Sequence, residues 1–447
     1  MSEEPHPPPP HVAEHDAPVA APLDKRSFAI LFGLSVVTAI GNTGLISVLP
    51  AIGRSIGISD ALASAVFSLS ALLWALTSPY WARQSDKRGR KPLILIGMAG
   101  FMVSMTLCGL VVSAGLLHLA PPLVIFVLFL FARAIFGTFG SASNPASQAY
   151  IAERTSRAER TKSMSALAGA FGLGTVIGPF IAPLFALPLL GPVKLAGPLF
   201  AFAALAAVML VLVHRYLPES GGPASPRPGR PLDRGGPNFW RDPRVLPFLI
   251  YGFLVATCQT AQQQTLGFLI LDRLEMSPAA AQGFIAVAMM FGAISGLTAQ
   301  WGVIRVFDMG PRALMRWGVG VAAVGTILIA ASQTYWLAVT GYAIASLGFG
   351  LARPGFTAGA SLSVNMGEQA RAAGLIASVN GLNVILAPAF VWSYEHFGPA
   401  PFILTASILT GLLIYAFRQP TLRSVSAERS DEAEVASTLE RRDEGGG

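Results

Sequence analysis

The sequence predicts an all-α integral membrane protein: twelve transmembrane helices in two pseudo-symmetric six-helix bundles. Three observations carry this prediction: an apolar excess too large for a soluble core, a one-sided distribution of Lys and Arg, and an internal repeat. Of 447 residues, 53% are hydrophobic and only 12% charged, and the mean hydropathy is +0.57. Soluble domains carry about 25% charged residues, so the bilayer has to act as solvent for this chain. A spanning helix needs roughly 20 mainly apolar residues. Twelve such segments follow one another, at 28–49, 61–81, 93–116, 122–143, 164–187, 195–214, 246–271, 279–303, 314–331, 336–358, 372–394 and 399–417.

These segments divide the chain into a polar N-terminal tail (1–27), a first bundle (28–214), a linker (215–245), a second bundle (246–417) and a charged C-terminal tail (418–447). The linker is rich in Pro, Gly and Arg, which disfavour regular structure, and both tails are expected to be disordered. The acidic, proline-rich start lacks the basic and apolar regions of a signal peptide. Of the 31 Lys and Arg, only Arg54, Lys194 and Arg273 fall in loops on one side, and Arg133 and Arg353 fall within spans; the rest lie on the other side, with both tails. Positive charge marks the cytoplasmic side, so both termini are expected in the cytoplasm of a multi-pass protein of the inner membrane. Two termini on one side also require an even number of spans.

The halves repeat at a constant offset of 209 residues. Pro145 matches Pro354, Gly172 matches Gly381 and Pro179 matches Pro388, which puts the fourth and fifth segments in register with the tenth and eleventh. Two related bundles suit alternating access, in which one rocks against the other around a central site. The net charge of +7 and pI of about 9.7 do not indicate nucleic acid, because the basic residues sit in short clusters between apolar runs. Cys108 and Cys258 lie inside apolar runs, so no disulfide, metal or cofactor is expected. No metal-ligand cluster, nucleophile–base pair or phosphate-binding loop supports an enzyme or a receptor.

After the second segment comes Asp86-Lys87-Arg88-Gly89-Arg90-Lys91, which resembles the D-R-x-G-R-R/K cytoplasmic signature of the major facilitator superfamily. Ala82 stands where that family usually has Gly. The resemblance implies a gate in which Asp86 faces the start of the eleventh helix, near Arg371 to Gly374, and caps its free N–H groups. Glu153 and Arg157 are four residues apart, suited to a helical ion pair; Glu153 is also available to pair with Arg90. Arg133, with Gly137, matches the family's R-x-x-x-G pattern in its fourth helix, where the resemblance implies proton coupling. An arginine satisfied by carbonyls or by a neighbouring helix remains the alternative.

The fifth segment resembles the antiporter signature G-x(8)-G-x(3)-G-P-x(2)-G-G of drug:proton exchangers. Gly174, Gly178 and Pro179 match as a candidate hinge, while Ser165, Ala182 and Pro183 replace glycines. A small-residue packing face is the alternative. The first segment, around Gly41 and Leu49-Pro50, has Thr38 where many drug antiporters carry an acidic residue. Indeed, no Asp or Glu falls in the middle of any span: Asp60, Asp272, Glu275 and Glu395 sit at outside mouths, and Asp86, Glu153, Asp308 and Glu368 at cytoplasmic ones. Coupling by a membrane-shifted carboxylate would therefore use a mouth residue.

The expected substrate site is polar but uncharged apart from arginine. Gln259, Gln262 and Gln263 share a helical face, with Asn42, Asn380 and Asn383 as further amides and Phe268, Phe291 and Trp392 as apolar walls around Arg133. The sequence thus implies a monomeric carrier of a small molecule. It either exports amphipathic, drug-like compounds in exchange for protons, or imports a specific polar or anionic solute.

Overall fold

Asp24 starts the helical structure: its carboxylate accepts a hydrogen bond from the Ser27 backbone N at 3.3 Å, satisfying one of the free donors at a helix N-terminus. The computed structural model describes residues 23–155, 157–219, 242–364 and 368–424. The tails and the linker fall largely outside these described residues. Within them the chain forms twelve helical rods: α1 Lys25–Ile56, α2 Asp60–Arg88, α3 Arg90–Leu116, α4 Pro122–Arg154, α5 Arg157–Ile181 and α6 Pro188–Tyr216. They continue as α7 Leu246–Leu274, α8 Pro278–Val306, α9 Pro311–Ala330, α10 Tyr335–Leu362, α11 at 369–397 and α12 Ala400–Arg418.

Ten of these rods are long and apolar enough to cross a membrane by length and composition. The other two are α7, diluted by its amides at 259–264, and α11, several of whose side chains lie outside the described residues. Exposed Phe131, Val208, Val324, Ile403 and Ile414 cover the outer surface, as expected where lipid replaces water around the bundle. Both described chain ends lie on one face, which also carries the α2–α3 and α4–α5 connections; it is called the terminal face below. Leu23 N donates to Arg154 O there at 3.0 Å.

Several helices outrun the expected spans. α2 continues to Arg88, so Asp86 and Lys87 occupy its last turn, and Gly89 alone (φ 90°, ψ 167°) separates it from α3. That conformation is open to glycine and strained for other residues. α4 passes through a short 3₁₀ turn at Gly140–Ala142 and ends at Arg154, so Glu153 belongs to a helix end rather than a loop. α5 changes to a 3₁₀ turn over Ala182–Phe185, shortly after Pro179. α11 has a similar turn at Asn383–Leu386. Pro388 follows it in the first turn of the resumed helix, where its missing N–H costs nothing.

Packing inside each half is backbone against backbone. A Cβ on Gly178 would lie 2.6 Å from Ile40 O and 2.9 Å from Gly44 N of α1; one on Gly174 would lie 2.5 Å from Val36 O. In the second half, a Cβ on Gly348 of α10 would lie 2.5 Å from Gly318 O of α9. Such small-residue seams supply dispersion contact where no hydrophobic effect acts between helices. α2 and α4 are tied differently: Trp81 Nε1 donates to Thr138 O at 2.6 Å and Ser70 Oγ to Arg133 O at 3.3 Å. The halves meet mainly where α2 faces α11 and where α1 and α5 face α8.

These distances predict that Gly178→Val destabilises the first half by about 1–3 kcal/mol, the usual cost of overpacking. A thermal melt of the purified protein should show the loss. Gly283→Ala, whose Cβ would meet nothing within 4 Å, should melt like the parent.

Candidate functional site

A cavity of about 1320 Å³ lies between the halves. Its deep end is formed by Ile46, Gln264 and Val384, midway along α1, α7 and α11. It runs toward the terminal face past Ser78 and Pro79 of α2, Ser147 and Gln148 of α4, and Met164 of α5. Leu34, Phe67, Trp74, Phe136 and Phe171 give it apolar walls; Asn42, Thr260, Gln263 and Gln264 supply most of the polar groups near its deep end. No Asp or Glu is among its described lining residues.

Arg133 is the cavity's one charged lining residue among those described, and it is 2% exposed. Its Nη2 donates to Asn42 Oδ1 at 3.0 Å. The guanidinium carbon lies 4.7 Å from the ring centre of Phe136 and 5.6 Å from that of Phe67. Nε and Nη1 have no hydrogen-bond partner among the described residues. A cation in this environment is paid for only in part by ring faces and one amide, since cation–π contacts contribute about 0.5–2 kcal/mol against a desolvation cost of several.

At the face opposite the termini, charge closes the bundle. Arg54 at the end of α1 pairs with Asp60 of α2, Nη2 to Oδ2 at 2.7 Å, and also with Asp272 of α7 across the interface. Tyr394 of α11 donates its hydroxyl to Asp272 at 2.6 Å, and the Ala61 N–H donates to Glu395 at 3.4 Å. Deeper, Ser68 Oγ of α2 donates to Val384 O of α11 at 2.7 Å. Gly267 of α7 lies so close to Pro50 of α1 that an added Cβ would sit 2.5 Å from its Cγ.

The terminal face is built otherwise. Arg90 binds Asp86 at 2.6 Å and Glu153 at 2.6 Å within the first half; Arg244, at the end of the linker, binds Asp242 at 2.8 Å and Glu368 of the second half at 3.4 Å. The Arg244 guanidinium holds the Asp242 carboxyl below the usual carboxylate range. Asp86, expected to face the start of α11, is largely exposed and paired with Arg90 of its own half. Gly89 forms the turn, and Lys91 follows in the first turn of α3. The expectations for the side chains of Arg157, Arg371 and Asn380 lie outside the described residues.

The remaining expected site residues divide. Asn42, Arg133 and Gln263 line the cavity. Gln262 does not: it is buried against α9, donating to Thr326 Oγ1 at 2.7 Å. Gln259 turns toward α10, accepting from Arg353 Nη1 at 3.4 Å. Asn383, just beside the deep end, donates to Thr260 Oγ1 at 2.9 Å. Phe268 is buried near Arg54, and Phe291 and Trp392 face outward, Trp392 stacking on His396; these three are not cavity walls. The correction has a simple cause: four glutamines within six residues spread around a helix of 3.6 residues per turn, so only part of the cluster faces one neighbour. The missed walls, Phe67, Trp74 and Phe136, are separated in sequence and carried no polar signal. Gly174, Gly178 and Pro179 lie in the α1–α5 seam described above.

A two-bundle, all-helical membrane protein with a central cavity opening along its interface is built as a carrier of small molecules. Residues 31–388 match the Major Facilitator Superfamily, and the chain belongs to that family of transporters, not to a family of enzymes. It is 26% identical over 382 residues to the class C tetracycline resistance protein of Escherichia coli, covering 82% of this chain and 89% of that one. It is 28% identical over 155 residues to multidrug resistance protein 2 of Bacillus subtilis, covering 35% and 36%. The fold is similar to that of a bacterial homologue of the human lysosomal transporter Spinster in an inward-facing, unoccupied conformation. There the TM-score is 0.69 at 14% identity, covering 91% of this chain and 98% of that one. The chain is thus a multi-pass membrane transporter distantly related to tetracycline and multidrug resistance proteins.

Asp272→Asn weakens the only described ion pair across the far face, so a cysteine placed at Ile46 should react severalfold faster with an impermeant maleimide added from that face. The native Cys108 and Cys258 are buried and give little background. Separately, Gln262→Leu should lower thermal stability by about 1 kcal/mol, a typical buried hydrogen bond, and leave substrate affinity unchanged. Gln263→Leu should do the reverse; transport assays beside thermal melts tell the two apart.

Proposed function

We propose that this transporter exports small amphipathic organic molecules from the cytoplasm in exchange for protons, by alternating access, and that the conformation described is its inward-facing state. The observation that carries this reading is the asymmetry of the cavity. One end is closed by Arg54, Asp60, Asp272 and Tyr394, while the cavity runs on toward the terminal face past Ser78, Ser147 and Met164. Basic residues crowd that terminal face, which makes it the cytoplasmic one by the positive-inside rule. Aromatic and aliphatic walls with a few convergent amides suit an amphipathic cargo. Likeness to tetracycline and multidrug resistance proteins supports the outward direction.

Coupling is assigned to the far mouth rather than the centre. Asp60 and Asp272 share Arg54, and a proton arriving from outside competes with that cation for either carboxylate. Protonation weakens the contact between halves and favours opening outward, a population shift set by differential binding to two states. Import of a polar or anionic solute is the second reading, favoured by the lack of a carboxylate in the described cavity lining.

Everted membrane vesicles decide between them. Acidifying the vesicle lumen should drive accumulation of drug-like compounds, and Asp272→Asn should lose that dependence on the proton gradient. Absence of any response across a broad panel, together with solute uptake by intact cells, would establish import instead.

A further inference from the structure

Arg133 presents an unusual balance of charge. The guanidinium is almost fully buried, midway through a membrane-spanning bundle, and two of its three nitrogens have no protein acceptor among the described residues. Its one hydrogen-bond partner, Asn42 Oδ1, is neutral. No carboxylate lies in the described lining of the cavity it adjoins. Buried charges are ordinarily paired, and an arginine kept in a membrane interior without an internal counter-ion is suited to a charge that comes and goes.

The surroundings define what that charge is attached to. Phe67, Trp74 and Phe136 flank the guanidinium and the cavity wall beside it, offering contact to a flat or branched apolar body. Gln263 and Gln264 line the cavity from α7, and their amide N–H groups can complete the hydrogen bonding of a carboxylate. The forked, planar guanidinium matches the two oxygens of such a group.

We propose that Arg133 is the anchor for the acid group of an amphipathic organic anion, so that preferred cargoes carry a carboxylate on an aromatic or aliphatic body. This rests on the cavity being the transport site, and it names the substrate class. Asn42 positions the guanidinium while the site is empty and yields to the incoming anion. The aromatic faces lower the cost of the unpaired state.

Equilibrium dialysis of the purified, lipid-reconstituted protein tests this with naphthoate and naphthamide, which differ in charge but hardly in shape. At neutral pH, naphthoate should bind roughly tenfold or more tightly than the amide, as expected for a charge-assisted hydrogen bond. Arg133→Gln should bring the two affinities within about twofold, because the neutral side chain retains only ordinary hydrogen bonding. Asn42→Asp provides a second route that keeps the arginine. A carboxylate tethered at that position supplies the missing counter-ion, so the preference for naphthoate should collapse while the melting temperature holds or rises. Equal binding of the two probes by the parent protein, failure of both to bind, or a preference that survives either substitution would overturn the proposal. A preference found in a protein whose vesicles transport nothing on acidification would leave the anion site standing and remove only the exporter reading.

Discussion

A charge placed halfway through a hydrocarbon layer must find its partners inside the protein, and Arg133 shows how far the structure is organised around that demand. Its Nε and Nη1 are buried without an acceptor among the described residues, and lipid offers none. The bundle answers with Asn42 and two aromatic faces. The same constraint explains where the other polar groups go. Gln262 is matched with Thr326 and Asn383 with Thr260, each across a helix contact, while exposed positions such as Phe131 and Val324 remain apolar. Polar groups inside the bundle are thus either paired across a helix contact or, like Gln263 and Gln264, set on the cavity.

Rigidity within each half, with a polar interface between them, suits the alternating access proposed for this chain. In the α1–α5 and α9–α10 seams, glycine brings backbones so close that a single added carbon would collide. Packed seams of this kind deform little. The contacts between halves at the far face are of another type: ion pairs and hydrogen bonds at helix ends, where water is near and a proton can compete. A structure stiff inside its bundles and polar at the junction has few ways to change shape other than rocking one bundle on the other.

The departures from the family's antiporter patterns fit this division. Thr38 stands where many relatives have an acidic residue, and Ser165, Ala182 and Pro183 replace glycines in the fifth helix. The glycines that remain, Gly174 and Gly178, are the two in direct contact with the α1 backbone. What the partial signature keeps is close packing. What is missing, with Thr38 in the first helix, is a carboxylate at mid-membrane; Asp60 and Asp272 stand at the far mouth on Arg54.

Composition and periodicity by themselves determined the helical membrane architecture and the side on which positive charge gathers. These depend on average transfer energies over about twenty residues, which a sequence states directly. The 209-residue repeat likewise announced two related bundles. The site was legible only where a single residue is chemically exceptional in its span, as with Arg133 and Asn42. The glutamine cluster was legible as a group but not residue by residue: Gln263 faces the cavity, Gln262 faces α9 and Gln259 faces α10, because rotation along a helix separates close neighbours. Phe268, Phe291 and Trp392 could not be placed, since an aromatic side chain is equally at home against lipid, a neighbouring helix or a substrate. The union of Arg54 with Asp272, 218 residues apart, was decided by tertiary structure alone: charges at helix ends have no sequence-local partner, and only the packing of two bundles brings them together.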